Sequence, residues 1–114
     1  MLVASAVLVA SLTGCANHDA LSLARKACAH VDRSITLYRK ARSDPDPVRA
    51  AAERAQASEE LGAAMPDAAI AAGESSQWQA LMTTLSETSR VGEVDLLSAL
   101  AAQCAATRGP FAGG

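Results

Sequence analysis

The sequence predicts an all-α fold, an antiparallel up-down-up-down four-helix bundle, on three observations. Alanine is abundant, β-branched residues are sparse, and Tyr38, Trp78 and Phe111 are the only aromatics, so strong helix formers far outweigh strand formers. Leu21, Ala24, Cys28, Val31, Ile35 and Tyr38 recur at spacings of three, four, three, four and three, the heptad seam by which helices pack. Proline, glycine and Asp/Ser clusters then cut the rest of the chain into helix-sized pieces. The alternative is a three-helix bundle with a kinked last helix.

Residues 1–14, MLVASAVLVASLTG, carry no charge and are mostly Val, Leu and Ala. The run is too short to cross a bilayer as a helix, which takes roughly 20 apolar residues. It has the length of a signal-peptide hydrophobic region. It ends in Leu12-Thr13-Gly14-Cys15, an element that resembles the lipobox of bacterial lipoproteins. The resemblance implies cleavage between Gly14 and Cys15, a diacylglyceryl group on the Cys15 thiol, and a mature protein held at the extracytoplasmic face of a cell membrane. Two acyl chains matter, because each buried methylene contributes about 0.8 kcal/mol and a single chain binds only marginally. A signal peptide ordinarily opens with Lys or Arg, whereas here the Met1 amino group is the only positive charge before Cys15. The expected cause is a true start upstream of Met1.

Residues 15–19 are expected to form the lipidated cysteine and a short tether, with Asp19 as an N-cap. Residues 20–107 form the helical domain. Its first helix is expected from about Ala20 to Arg42 along the heptad seam. Ser43-Asp44-Pro45-Asp46-Pro47 ends it, with Asp46 capping the second helix and Pro47 at its first position. That second helix is expected to run to about Met65, to be built on Val48, Ala51, Ala52, Ala55 and Leu61, and to be interrupted by Pro66. Ser75 or Ser76 is expected to cap a third helix carrying Trp78, Leu81, Met82 and Leu85. The polar stretch 86–92 predicts a turn or sharp kink. A fourth helix is expected from about Glu93 to Thr107, with Val94, Leu97, Leu100, Ala101 and Cys104 inward. Residues 108–114 read as a disordered Gly/Pro tail.

Export would place Cys28 and Cys104 in an oxidising compartment, where such a pair is expected to bridge; the alternative is two buried free thiols. The bridge and the topology support each other. A straight last helix would carry Cys104 to the far end from Cys28, whereas a turn near Gly92 brings it back to the same level.

Little in the chain points to chemistry. A formal net charge of −2 argues against a nucleic-acid partner. There is no H-E-x-x-H, C-x-x-C, phosphate-binding glycine loop or G-x-S-x-G element, so no metal, cofactor or catalytic residue is expected. His30 reads as a surface residue, and the adjacent Glu59 and Glu60 as a solvated face. Trp78 reads as a core plug, or else as a ligand or partner contact. The basic residues of the first helix suit attraction to neighbouring helices, or to anionic lipid headgroups.

The chain as a whole resembles small helical lipoproteins of high-GC bacteria, a resemblance that brings no activity with it. The expected function is a membrane-anchored, non-enzymatic envelope lipoprotein that binds another envelope protein or component. The alternative is an extracytoplasmic small-ligand binding or sensing domain.

Overall fold

The structure, a computed structural model, describes residues 16–108. It is all-α: helix α1 spans Ala16–Ser43 and α2 spans Pro47–Glu74, then a 3-10 turn at Ser76–Trp78 leads into α3, Gln79–Glu87, and α4 spans Glu93–Ala105. No strand occurs among the described residues.

Helix α1 follows its seam. Ala24, Cys28, Val31, Ile35 and Tyr38 are buried, and Leu21 packs at the edge of the core. The helix is already formed at Ala16, four residues before the expected start. Asp19 therefore lies in the first turn rather than at a cap, where its charge still favours the positive helix end. Lys40 and Arg42 complement the other end. Asp46 caps α2 as expected: its Oδ1 accepts from the Val48 and Arg49 amides at 3.0 and 3.4 Å.

Helix α2 departs from expectation in two ways. It continues through Pro66 to Glu74 instead of stopping near Met65. Proline removes one i to i−4 bond, here to the Gly62 carbonyl, but Gly62 and Pro66 are both on the exposed side. That carbonyl meets water, while Ala64, Ala68, Ala71 and Ala72 carry the buried face across the break. The face itself also differs. Val48 is 79 % exposed, and Ala51, Ala52 and Ala55 point to solvent. Of the expected set only Leu61 is inward; the others there are Ala50, Glu53, Ala57, Ala64, Ala68, Ala71 and Ala72. Alanine on every side leaves little contrast between faces, and a charged Glu53 on the inner one disguises it.

Helices α1 and α2 run antiparallel, as cross-links at three levels show: Lys40 to Glu53, Ser34 to Ala57 and His30 to Glu60. Buried small residues recur at intervals of seven on both helices. On α1 they are Ala20, Ala27, Ser34 and Ala41; on α2 they are Ala50, Ala57, Ala64 and Ala71. The antiparallel register sets Ala41 level with Ala50, Ser34 with Ala57, Ala27 with Ala64, and Ala20 with Ala71. Small residues facing small residues let two backbones approach closely. The Ser34 hydroxyl accordingly reaches the Ala57 carbonyl of the facing helix at 2.8 Å.

The larger core side chains lie beside this seam: Leu61, Leu81, Leu85, Leu100 and Val31 are all but sealed from solvent. The chain breaks between α3 and α4 through a turn closed by Arg90 and Val91 amides on the Glu87 carbonyl, so α3 and α4 are two helices, not one kinked one. α4 returns antiparallel to α1, as the Cys28–Cys104 and Arg25–Thr107 contacts show. The four helices are uneven: α3 has nine residues and α4 thirteen, against 28 in each of α1 and α2. A short α4 covers α1 only partly. Val94, expected inward, is 52 % exposed for that reason, and Leu97 and Ala101 are half-buried.

Candidate functional site

Gly14 and Cys15, the expected cleavage and lipidation residues, lie outside the described residues, as does the tail from 109 onward. The residue after Cys15 is already helical, so the expected tether at 16–19 forms the first turn of α1. Among the described residues no helix is long and apolar enough to cross a membrane.

Cys28 and Cys104 are joined as a disulfide, with their Cα atoms 5.5 Å apart. That separation lies within the usual range for the bond. The bridge holds α4 to the middle of α1 and is flanked by polar clamps. Arg25 Nε donates to the Thr107 carbonyl at 3.2 Å, and Arg108 Nη2 donates to both Asp32 carboxylate oxygens at 2.8 and 2.6 Å. Arg108, expected to open the tail, is thus tied to α1.

Trp78 is 2 % exposed and packs within the core cluster. That burial fits the expected core plug. Gln79, one residue on, donates to the Ala72 carbonyl at 2.7 Å and stitches the α2–α3 corner.

Charge is used mainly between helices. His30 Nδ1 meets Glu60 Oε2 at 2.6 Å, and Arg33 Nε donates to the same oxygen at 3.2 Å. The carboxylate is the acceptor there, so the His30 ring nitrogen donates. The hydrogen bond from His30, then that from Arg33, holds the Glu60 carboxyl below its ordinary range. His30 and Glu60 are therefore a cross-helix pair, rather than the surface residue and solvated face expected of them. Among the described residues no serine, threonine or cysteine side chain bonds to this trio.

A second cluster sits at the α1–α2 turn. Asp44 accepts from Arg49 Nε at 2.6 Å and Nη2 at 2.9 Å, and from the Asp46 amide at 3.0 Å. The Arg49 hydrogen bonds hold its carboxyl well below the usual carboxylate range. Glu53 is 5 % exposed, and neither of its oxygens accepts a hydrogen bond. Lys40 Nζ stands 3.8 Å from it. Burial first, and the approach of Asp44 second, push the Glu53 carboxyl up.

These pairings absorb Arg33, Lys40, Arg49 and Arg108. Arg39 and Arg42 form no ion pair among the described residues. Both line a groove of about 260 Å³ between α1 and α4, together with Ile35, Tyr38, Val94, Leu97 and Ser98. Tyr38 is 4 % exposed and lines the same groove. This groove combines apolar walls with two cations that form no ion pair among the described residues. It was not legible beforehand because its walls come from segments some fifty residues apart, and because Val94 reads as core. The usable signal is Arg39 and Arg42 at i and i+3, one face of α1, with Tyr38 and Ile35 beside them. Among the described residues, no three His, Cys, Asp or Glu side chains gather into a metal site.

Comparison with protein-family models, with curated proteins and with solved structures finds no match to this chain.

Proposed function

We propose that this chain is a lipid-anchored envelope protein, exported, cleaved before Cys15, and presenting its helical domain on the extracytoplasmic face of a cell membrane. The domain acts without catalysis, as an interaction or scaffold module for another envelope protein or component. The observation that carries the reading is the Cys28–Cys104 bridge, in a domain whose first helix starts one residue after the lipobox cysteine. Stable disulfides belong to oxidising compartments. The lipobox resemblance and the bridge thus point to the same side of the membrane from unrelated residues.

Intact-mass measurement of the protein purified from its host's membranes tests this. The expected species begins at Cys15, is heavier by a diacylglyceryl group, and gains two hydrogens on reduction. An unlipidated chain that retains residues 1–14 refutes the anchor, and the extracytoplasmic reading falls with it. For the alternative, a small-ligand binding domain, the α1–α4 groove is better placed than the buried Trp78.

A further inference from the structure

We propose that the α1–α4 groove binds a small amphipathic anion, with its carboxylate or phosphate head on Arg39 and Arg42 and its short apolar body against Ile35, Val94 and Leu97. The proposal goes beyond the anchored reading above and rests on it only for the choice of a diffusible ligand over a bilayer headgroup.

Three features argue for this occupant. The first is charge without a counter-charge. Several neighbouring cations are engaged: Arg25 by the Thr107 carbonyl, Arg33 by Glu60, Lys40 by Glu53, Arg108 by Asp32. Arg39 and Arg42 line the groove and form no ion pair among the described residues, and two guanidinium forks on one helix face suit an anion with several acceptor oxygens. The second is the apolar wall. Val94 is 52 % exposed beside half-buried Leu97, an apolar strip that water covers in the empty domain. The third is polar groups beside that wall. Tyr38 and Ser98 bring two hydroxyls to the same space. A volume of about 260 Å³ suits a ligand of roughly ten heavy atoms rather than a helix.

The groove also lies well away from the start of α1. Residue 39 is 23 positions beyond Ala16, which is about 35 Å along a helix. A headgroup of a bilayer next to Ala16 would not reach it along an upright α1, which favours a diffusible ligand.

Calorimetric titration tests the proposal on the full chain in phosphatidylcholine nanodiscs, with empty discs as the blank. The probes are octanoate and hexyl phosphate, with octanol and inorganic phosphate as the matched half-ligands. At least one amphipathic anion is expected to half-saturate by about 5 mM, as the efficiency of a ten-atom ligand allows. Octanol and inorganic phosphate should each bind at least about tenfold more weakly. The double variant R39Q/R42Q should lose at least about tenfold in affinity with its far-UV circular dichroism unchanged, since both side chains are exposed. Whichever anion binds more tightly assigns the head. Heat no greater than that of empty discs, octanol binding as tightly as octanoate, or unchanged affinity in R39Q/R42Q would each overturn the proposal.

Discussion

Ala64→Leu decides whether the α1–α2 seam is as close as its residues suggest. Ala64 is fully buried on α2 and level with Ala27, also fully buried, on α1. The substitution adds three carbons. In a loose interface they would fill space and gain up to about 2 kcal/mol, at about 0.8 kcal/mol per buried methylene. In a close one they must push two backbones apart, which costs about 1–3 kcal/mol. The two cases therefore differ in sign. For a domain of this size each kcal/mol moves the midpoint by about 4–8 °C, so Ala64→Leu should lower Tm by about 5–20 °C. Ala63→Leu, one residue away on the exposed side, is the control and should stay within about 0.5 kcal/mol of wild type. The assay is thermal unfolding followed at 222 nm, with the disulfide kept oxidised. An unchanged or raised Tm for Ala64→Leu would refute close packing, and with it the meaning given to the seven-residue alanine repeat.

Four further outcomes are expected. Replacing Cys28 and Cys104 together with serine should cost about 4 kcal/mol, because the bridge closes a loop across a separation of 76 residues; urea unfolding with and without reductant measures it. Trp78→Ala should cost about 3–5 kcal/mol, and the wild-type tryptophan should emit in the blue and resist acrylamide quenching. Glu53→Gln should raise stability at pH 7.5. A carboxyl whose folded pKa is raised makes the folded state lose stability as pH climbs from its ordinary value through the raised one, so the advantage of Gln should fade below about pH 4.5. Glu60→Gln should show the opposite: its carboxyl is held low, so the native residue stabilises above its ordinary range, and the difference should vanish as acid titrates it; melting curves at several pH values read both.

What could be read beforehand was whatever hydropathy or backbone chemistry marks locally. The α1 seam alternates large apolar residues with charges, Asp46-Pro47 carries its own capping geometry, and Gly92 with its polar neighbours breaks the chain where α3 and α4 separate. The inner face of α2 escaped because alanine lies on both sides of that helix. Only its recurrence every seven residues, matched on α1, tells inside from outside. Pro66 misled because a proline on the outer face costs a single exposed bond rather than a helix. His30 and Glu60 are remote in sequence and meet only once the antiparallel register is set. The groove depends on a similar encounter, between the outer edge of α1 and a fourth helix too short to cover it.

The disulfide has a consequence for cleavage. Cys28 lies on the first helix and Cys104 near the end of the last, so all three inter-helix connections fall inside the covalent ring, among them the turns between α1 and α2 and between α3 and α4. Those turns, at 44–46 and 88–92, contain the exposed residues Pro45, Asp46, Ser89 and Val91, which are the natural places for a protease to cut. A cut in either leaves both fragments joined, so a nicked molecule migrates as one species until it is reduced. If Cys15 bears lipid, the severed C-terminal half stays on the membrane with the rest. Loss of the severed fragment from the cell surface would then take reduction of the bridge, and loss of the whole domain a cut between Cys15 and Cys28.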